Sequence, residues 1–192
     1  MDPRRTRMRR RRCRAASAAA LALLATAAAA QAPPEPASYR LDAYRAPVPA
    51  TVAGGSAIGT AEAEALWHER RAVFVDVLPA PRRPEGLPPD ALWKPVPRRD
   101  IPGSLWLPEV GRGALSPALE DYFRDGLAAA TGGDTSRPVV LYCLADCWMS
   151  WNATKRAAGY GYTRLYWYRD GTGGWEAAGL PTEEATPAAG RP

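Results

Sequence analysis

The chain has 192 residues, 46% of them hydrophobic, and its 25 basic and 20 acidic side chains give a formal net charge of +5. Eight of the arginines and one of the acids lie in residues 1–30, so residues 31–192 carry 17 basic and 19 acidic side chains and a net charge of −2. The basic balance of the whole chain therefore gives no reason to expect nucleic acid or an anionic membrane as a partner. The 162 residues that remain are enough for one domain with an ordinary core.

Residues 1–30 have the pattern of a secretory signal peptide. The eight arginines come first, an Ala- and Leu-rich stretch follows over residues 15–30, and the expected cleavage lies between Ala30 and Gln31. The apolar stretch is short and alanine-rich for a membrane span. We therefore expect a periplasmic protein that has no membrane segment after cleavage.

The cysteine and histidine content limits the chemistry of the remaining chain. Once Cys13 leaves with the signal peptide, Cys143 and Cys147 are the only cysteines, and His68 is the only histidine. One close cysteine pair is not the disulfide framework of a small secreted scaffold. A single histidine excludes multi-histidine metal sites, and the polar helix end around His68 favours a solvated surface position. No metal and no cofactor are expected.

The first half of the remaining chain alternates extended and helical patterns. In chain order these are an extended lead-in, a short edge strand, a helix capped by Thr60 and a strand buried on both faces, over residues 31–50, 56–59, 61–69 and 73–78. Asp76 lies within the buried strand and is expected to fix the following loop by accepting backbone hydrogen bonds. The eight prolines of residues 79–102 predict a long, stiff loop, whose four arginines are expected to form a solvated rim.

The second half continues the alternation and ends in a Pro- and Ala-rich tail. It holds a short strand, a helix, the central strand, a second helix, a further strand and a last short helix, over residues 104–107, 117–132, 138–142, 149–159, 165–168 and 174–178. This alternation predicts an α/β fold with a central parallel sheet of about five strands and helices on both faces. Residues 51–185 are expected to form the domain, and residues 186–192 a disordered tail.

Five separated pieces of the chain resemble rhodanese-like domains, in the order that this family shows. The pieces are Val75-Asp76-Val77, Ile101-Pro102-Gly103-Ser104, and residues 139–143, 161–166 and 174–181. The resemblance implies a rhodanese-like fold in which residues 139–143 form the strand that delivers a catalytic cysteine, Cys143.

Residues 143–152 are similar to the rhodanese-related group called PQQ-dependent catabolism-associated CXXCW motif proteins, although three residues rather than two separate the cysteines here. That resemblance implies an exported protein linked with quinoprotein alcohol oxidation, whose partner is a PQQ-dependent dehydrogenase or a c-type cytochrome. Where the rhodanese loop has a glycine and an arginine, this chain has Asp146 and Trp148. The arginine that would help to hold an anionic sulfur donor is therefore missing.

The predicted site lies where the central strand meets a loop and a helix. Backbone N–H groups and the positive end of the helix dipole at such a corner are expected to favour a Cys143 thiolate. This thiolate would take sulfur from a small sulfur donor, become a persulfide and pass the sulfur to an acceptor thiol. The predicted site consists of the catalytic residues Cys143 and Cys147, the loop residues Leu144, Ala145, Asp146, Trp148, Met149 and Ser150, and the supporting residues Asp76 and Trp151.

Two other hypotheses remain open. In the second hypothesis the domain is a dithiol redox module. Cysteines four residues apart in a helical turn have Cα atoms about 6 Å apart, so Cys147 would be close enough to resolve a persulfide or sulfenate on Cys143. Alternatively, the two thiolates would hold a soft ion such as Cu(I). In the third hypothesis the pair is a static disulfide and the domain only docks a partner.

The orientation of Asp146 and the course of residues 79–102 bear on this choice. A carboxylate turned to the solvent leaves the thiol reactive, whereas one turned inward disfavours the thiolate. The proline-rich loop follows the carboxyl end of the Asp76 strand, which is the same edge of the sheet at which the cysteines lie. Ligands of open α/β sheets bind at this edge. We expect this loop to narrow access to the site and to select the partner.

Overall fold

The computed structural model describes residues 32–192, and the predicted signal peptide over residues 1–30 lies outside the described residues. Within residues 32–192, no helix has both the length and the apolar character needed to cross a bilayer. The strands are β1 (Ser56–Ile58), β2 (Val73–Asp76), β3 (Arg99–Asp100), β4 (Leu105–Trp106), β5 (Val139–Tyr142), β6 (Leu165–Tyr168) and β7 (Glu183–Glu184). The helices are α1 (Thr60–His68), α2 (Pro117–Thr131), α3 (Trp148–Gly159) and α4 (Gly171–Ala177).

Five of the strands form one sheet in the order β1-β6-β5-β2-β4, and every neighbouring pair in it is parallel. The register places Tyr142, the last residue of β5, beside Asp76 of β2 and Tyr168 of β6. The carboxyl ends of these three strands therefore meet at one edge of the sheet. Cys143, the residue after β5, lies at the centre of this edge.

Helices cover both faces of this sheet. On one face Val139 and Leu141 of β5 pack with side chains of α2 and α3, and on the other face Val140 and Tyr142 pack with α1 and α4. All four residues are fully buried, which explains why the strand is apolar throughout rather than alternating. The predicted α/β fold, a five-stranded parallel sheet between two helical layers, is confirmed.

The helix ends follow the local sequence. Helix α1 begins at Thr60, one residue earlier than predicted, because Gly59 occupies the N-cap position and its N–H donates to the carboxylate of Glu62. Helix α2 begins after its predicted cap, Ser116, and ends at Gly132, whose φ of 67° is left-handed and suits glycine.

The N-terminal lead-in is fastened to α3. We call residues 36–48 the strap. The side chain of Asn152 accepts from the backbone N–H of Arg40 at 2.9 Å and donates to its carbonyl at 2.8 Å, and Lys155 donates to two further strap carbonyls. At the other end of the strap, Val48 is buried. The predicted extended segment is thus a packed layer over one helix.

Two segments differ from the predictions. One contains a short strand that pairs with another short strand, and the other packs against the edge of the large sheet. Within the proline-rich loop, β3 forms a small antiparallel sheet with β7. Part of the expected tail, residues 186–192, packs against the domain: Ala188 donates its N–H to the carbonyl of Trp106 at 2.9 Å and accepts from the hydroxyl of Tyr122 at 3.1 Å. Strand β4 is an edge of the large sheet, so its free backbone groups attract such a segment.

Candidate functional site

Cys143 and Cys147 are joined by a disulfide bond, with their Cα atoms 6.4 Å apart. Cys143 directly follows β5, and Cys147 is the N-cap residue of α3. The Cα separation agrees with the predicted value, but the connection is not a helical turn. Asp146 has a left-handed φ of 50°, which turns the chain between the strand end and the helix start.

Both half-cystines are buried. Cys143 is 0% exposed and Cys147 is 2% exposed, and both belong to the main apolar cluster of the domain. The expectation of a reachable Cys143 thiol is therefore wrong for the disulfide form that the structure shows. Before a thiol can reduce the bond, the segments that cover it must move.

The sulfur of Cys143 is surrounded by oxygen atoms rather than by amides. It lies 3.2 Å from the hydroxyl of Ser150, 3.5 Å from the carbonyl of Cys147 and 3.9 Å from the carbonyl of Leu144. Within residues 32–192, no backbone N–H donates to this sulfur. Carbonyl oxygens carry partial negative charge and disfavour a neighbouring thiolate. The predicted amide cradle for Cys143 is thus absent from this form.

Ser150 is the polar centre of the site. Its hydroxyl accepts from Nε1 of Trp167 at 3.0 Å and donates to the carbonyl of Cys147 at 3.2 Å. A hydroxyl has one proton to donate, so Ser150 can turn this proton to the Cys143 sulfur only by releasing the Cys147 carbonyl. Ser150 was among the predicted site residues, whereas Trp167 was not.

The strap covers the pair from the side of α3. The carbonyl of Tyr44 accepts the backbone N–H of Trp148 at 2.9 Å, and Arg45 forms an isolated antiparallel bridge with Cys147. The first N–H groups of a helix have no partner inside the helix and are open to ligands. Here the strap takes up the N–H of the first helical residue and lies across Cys147.

Trp148, Met149 and Trp151 of the predicted site belong to the core. Trp148 is 4% exposed and Trp151 is fully buried, and both pack with Trp167 and the strap residue Val48. Met149 is buried in the main cluster. The indole Nε1 of Trp151 has a backbone acceptor, whereas Nε1 of Trp148 is buried and has no hydrogen-bond partner in the described part of the chain.

The remaining loop residues face outward to different extents. Leu144 and Ala145 are half-buried, and Asp146 is exposed and forms no ion pair within the described part of the chain. The Asp146 carboxylate thus faces the solvent, the orientation in which it is not expected to disfavour a Cys143 thiolate. Gly171 makes the close approach of α4 possible, since a Cβ atom there would lie 2.5 Å from the carbonyl oxygen of Cys143.

Asp76 is buried and held by an arginine from the proline-rich loop. It accepts from Nε of Arg98 at 2.6 Å and from the backbone N–H of Leu78 at 2.9 Å, as expected for a carboxylate that fixes a loop. Burial raises the pKa of Asp76 to about 6, although Arg98 and the Leu78 N–H oppose this rise. Arg98 was expected in a solvated rim, and this expectation is wrong, because only 10% of its side chain is exposed.

The same arginine connects Asp76 to the backbone of Cys143. Both terminal nitrogens of Arg98 lie 3.3 Å from the hydroxyl of Thr172, and the backbone N–H of Thr172 donates to the carbonyl of Cys143 at 3.0 Å. The proline-rich loop, α4 and the cysteine loop are therefore joined through one buried cation. Asp76 supports the site through this chain of contacts, without touching the sulfur atoms through any hydrogen bond.

A second buried carboxyl group faces Asp76. Asp100 is 2% exposed, and its Oδ2 has no hydrogen-bond partner among residues 32–192. Burial, and then repulsion from Asp76 and Glu183, raise the pKa of Asp100 to about 7, while Arg98 lowers it in part. Arg98 thus interacts with the carboxyl groups of both Asp76 and Asp100, and Asp100 is partly protonated near neutral pH.

The proline-rich loop also forms a surface beside the cysteines. A cavity of about 360 Å³ lies between this loop, Leu144 of the cysteine loop and Glu176 of α4. Leu92 and Val96, farther along the loop, are 99% and 83% exposed. The structure thus places the loop next to the site, whereas its role in access and in partner choice stays a prediction.

His68 lies at the end of α1, with 63% of its side chain exposed and a carboxylate oxygen of Glu64 at 3.7 Å. This is a solvated surface position, as predicted. Within residues 32–192, no group of three or more His, Cys, Asp or Glu side chains is placed to hold a metal ion.

No protein-family model matches the sequence, and no curated protein matches it. Among solved structures, the fold is similar to a polysulfide-sulfur transferase homodimer from Wolinella succinogenes, at 21% identity and a TM-score of 0.45, with 70% of this chain and 82% of that chain covered. It is also similar to thiosulfate sulfurtransferase from Pseudomonas aeruginosa, at 20% identity and a TM-score of 0.45, with 69% of this chain and 21% of that chain covered.

A third similar structure is the rhodanese-like domain of a protein from Anabaena, at 18% identity and a TM-score of 0.43, with 69% of this chain and 84% of that chain covered. The chain spans about a fifth of the length of the Pseudomonas protein. Likenesses of this size concern the fold alone.

Sequence reasoning missed several residues that build the site. Tyr44 and Arg45 lie in a segment without periodicity, and nothing local indicates that it crosses α3. Thr172 lies one residue after Gly171, a close-packed glycine that offered a weak signal. Trp167 lies in the predicted strand over residues 165–168, and the observed pairing with Leu141 places its side chain on the face of the sheet that α3 covers.

Proposed function

We propose that this protein is a sulfur-handling dithiol–disulfide protein, in which Cys143 carries a sulfane sulfur as a persulfide and Cys147 resolves it. The observation that carries the proposal is the bond between the two sulfurs at the carboxyl edge of the sheet. A four-residue separation stabilises a fold little, because the constraint on the unfolded chain grows with loop length. Chemistry is therefore the better reason for a bond at this position.

The proposed cycle starts from the reduced pair. The Cys143 thiolate attacks the sulfane sulfur of a small donor, and the leaving group of the donor departs with the electron pair of the broken bond. The Cys147 thiolate then attacks the Cys143 sulfur of the persulfide, which forms the disulfide and expels hydrosulfide. An external dithiol, or two thiols, supplies the two electrons that return the pair to its reduced form.

The surroundings of the two sulfurs support different roles for them. Cys147 is the N-cap of α3, a helix of 12 residues, and the positive end of its dipole favours a thiolate there. A thiolate at this position suits the resolving attack. Cys143 faces the Ser150 hydroxyl and two carbonyl oxygens, so its uptake of sulfur is expected to be the slower step.

A second function has one observation in its favour. Both half-cystines are buried, and the strap lies across Cys147. A pair that stayed oxidised under this cover would be inert, and the domain would act only by docking a partner.

Intact mass separates the two functions. The purified protein is measured as isolated, after reduction, and after the reduced form has met thiosulfate or polysulfide. The proposal expects a mass two hydrogens lower before reduction than after it, and one hydrosulfide released per disulfide formed. Cys147→Ser should retain one added sulfur atom, and Cys143→Ser should retain none. A wild-type disulfide that resists reduction in the folded state would instead support docking.

We also propose, from the sequence alone, that the protein works in the periplasm beside a PQQ-dependent dehydrogenase or a c-type cytochrome. The arginine-rich leader and the similarity of residues 143–152 to the CXXCW group support this placement. Fractionation of cells that make the full chain, followed by crosslinking and mass analysis of the captured proteins, tests it. Recovery of the uncleaved chain from the cytoplasm would contradict it.

A further inference from the structure

Arg169 directly follows β6, as Cys143 directly follows the neighbouring strand β5. Tyr142 pairs with Tyr168 in the parallel register of β5 and β6, so the next residues of the two chains, Cys143 and Arg169, adjoin at the carboxyl edge. Neighbouring strands lie about 4.8 Å apart. Two residues before Arg169, Trp167 donates to Ser150 of α3. The guanidinium carbon of Arg169 lies 5.9 Å from the ring centroid of Trp167, so the Arg169 side chain is on the side of the sheet that α3 covers.

The guanidinium group of Arg169 has no acidic counterpart. Within the described part of the chain it forms no ion pair, and its Nε is buried with no hydrogen-bond partner. The guanidinium carbon lies 5.9 Å from the ring centroid of Trp167. The adjacent Asp170 does not neutralise it, since that side chain reaches the hydroxyl of Thr60 near α1, on the other face of the sheet.

A second arginine adjoins the other half-cystine. Arg45 is bridge-paired with Cys147, and directly paired residues have Cβ atoms about 5 Å apart. Arg45 is exposed and has no ion pair within residues 32–192. The acid of the cysteine loop, Asp146, is exposed and pairs with neither arginine. Two arginines that form no ion pair within residues 32–192 therefore adjoin the disulfide, one beside each half-cystine.

We propose that Arg45 and Arg169 form an anion-recognition rim that selects thiols bearing a carboxylate as the reductants of the Cys143–Cys147 disulfide. Arginine is the side chain best suited to a carboxylate, because its planar fork of N–H groups matches the two oxygens. A carboxylate held at this rim brings the attached thiolate to the bond that it attacks. The inference rests on the proposed dithiol–disulfide function.

The exchange is balanced by two thiols. The first thiolate attacks one half-cystine, forms a mixed disulfide and releases the other cysteine as a thiolate. The second thiolate attacks the mixed disulfide, releases the remaining cysteine and leaves as a small-molecule disulfide. Two electrons pass from the two thiols to the protein, and solvent protons complete the products.

The test compares two small thiols, 3-mercaptopropionate and the neutral 2-mercaptoethanol. Rates of disulfide reduction are followed by thiol trapping and mass, and each is expressed per thiolate. Wild type should prefer the carboxylate thiol. Arg45→Gln and Arg169→Gln should each reduce that preference by about tenfold, the size expected of one charge-assisted hydrogen bond. Arg164→Gln is the matched control, because Arg164 is exposed and precedes β6 at the opposite end of the strand.

High salt should weaken the preference, because it screens the attraction between the arginines and the carboxylate of the thiol. Asp146→Asn should strengthen the preference, because it removes a negative charge that repels this carboxylate. An unchanged preference in both Arg45→Gln and Arg169→Gln would overturn the inference while leaving the disulfide chemistry intact. If neither thiol reduced the wild-type protein, the proposed function would fail instead. Titration of the oxidised protein with succinate then tests the rim by itself: binding that Arg45→Gln and Arg169→Gln weaken supports it, and no binding overturns it.

Discussion

The carbonyl oxygen of Tyr44 accepts the backbone N–H of Trp148 at 2.9 Å. This hydrogen bond joins the strap to the first residue of α3, directly after Cys147. It uses a donor that a helix N-terminus otherwise offers to a ligand. We therefore expect the strap to control how accessible the cysteine pair is.

Loosening the strap should expose the disulfide. The ring hydroxyl of Tyr44 donates to the carbonyl of Leu41 and accepts from the N–H of Gly113. Tyr44→Ala removes both bonds and the ring, a loss of about 1–2 kcal/mol from strap docking. Reduction of the Cys143–Cys147 bond by dithiothreitol should then become at least about fivefold faster, as measured by thiol trapping.

Tyr44→Phe is the conservative control, since it keeps the ring and removes only the hydroxyl. It should give a smaller acceleration with the same thermal midpoint as wild type to within a few degrees. Equal reduction rates in wild type, Tyr44→Phe and Tyr44→Ala would show that the strap does not limit access.

Arg98 should contribute strongly to stability through Asp76. Arg98→Met leaves the buried carboxylate without its cation, which costs about 3–5 kcal/mol in comparable buried pairs. Urea denaturation at pH 8 measures the loss. Asp76→Asn in the same chain should recover part of it, because the uncompensated charge is then removed.

The neighbouring Arg99 is the matched control. It is exposed and bonds to Thr182 at the surface, so Arg99→Met should change the free energy of unfolding by less than about 1 kcal/mol. Strictly additive effects of Arg98→Met and Asp76→Asn would contradict a direct coupling between these two side chains.

The buried carboxyl groups should make stability depend on pH. The folded-state pKa values of Asp76 and Asp100, about 6 and about 7, lie above the ordinary value of 3.8. The folded protein therefore binds protons more tightly than the unfolded chain, and its stability falls as the pH rises from about 4 through about 7. The fall should be on the order of a few kcal/mol. Urea midpoints at pH 5 and pH 8 measure it.

Asp100→Asn should flatten this dependence and make the protein more stable than wild type at pH 8, because the charge that must be buried there is gone. The exposed Asp125→Asn serves as the control and should retain the wild-type slope. A wild-type protein that was more stable at pH 8 than at pH 5 would contradict the assignment.

We expect Ser150 to affect both the free energy of unfolding and the rate at which the Cys143–Cys147 disulfide forms. Ser150→Ala leaves Nε1 of Trp167 buried without an acceptor, which costs about 1–3 kcal/mol. It also removes the hydroxyl that lies 3.2 Å from the sulfur of Cys143. The rate at which the reduced pair re-forms its disulfide should therefore change, as followed by quenched thiol trapping.

Trp167→Phe separates the two effects. It removes the unsatisfied donor, so Ser150→Ala should cost less stability in the Trp167→Phe background than in wild type. The altered rate of disulfide formation should persist there. A rate equal to that of wild type in Ser150→Ala would show that the hydroxyl does not act on Cys143.

Much of the fold could be predicted from the sequence because its elements follow local patterns. Strand β6 has its predicted bounds, and α2 begins and ends where Ser116 and Gly132 indicate. The two-residue strands β3 and β7 could not be predicted, since neither is long enough to show a period. Their pairing depends on residues more than eighty positions apart.

The candidate site was predicted in part for the same reason. The position of Cys143 at a strand end follows from the apolar run of residues 139–142. The helix after it was predicted to begin at residue 149, one residue too late for Cys147 to be its N-cap. The burial of the pair could not be predicted, because it depends on the strap, whose proline-rich sequence shows no period. Arg98 was misassigned because a charged residue in a proline-rich loop gives no local sign of a buried acid.

The sequence by itself determined which segments form the parallel sheet and that its two cysteines lie at one carboxyl edge, because hydrophobic periodicity and caps are local properties. The tertiary structure alone decided that the pair is covered, that Arg98 binds Asp76, and that Arg45 and Arg169, which form no ion pair in the described part of the chain, adjoin the disulfide. Each of these depends on contacts between residues distant in the chain. Such contacts are made when elements pack, and they leave no pattern in the segments that make them.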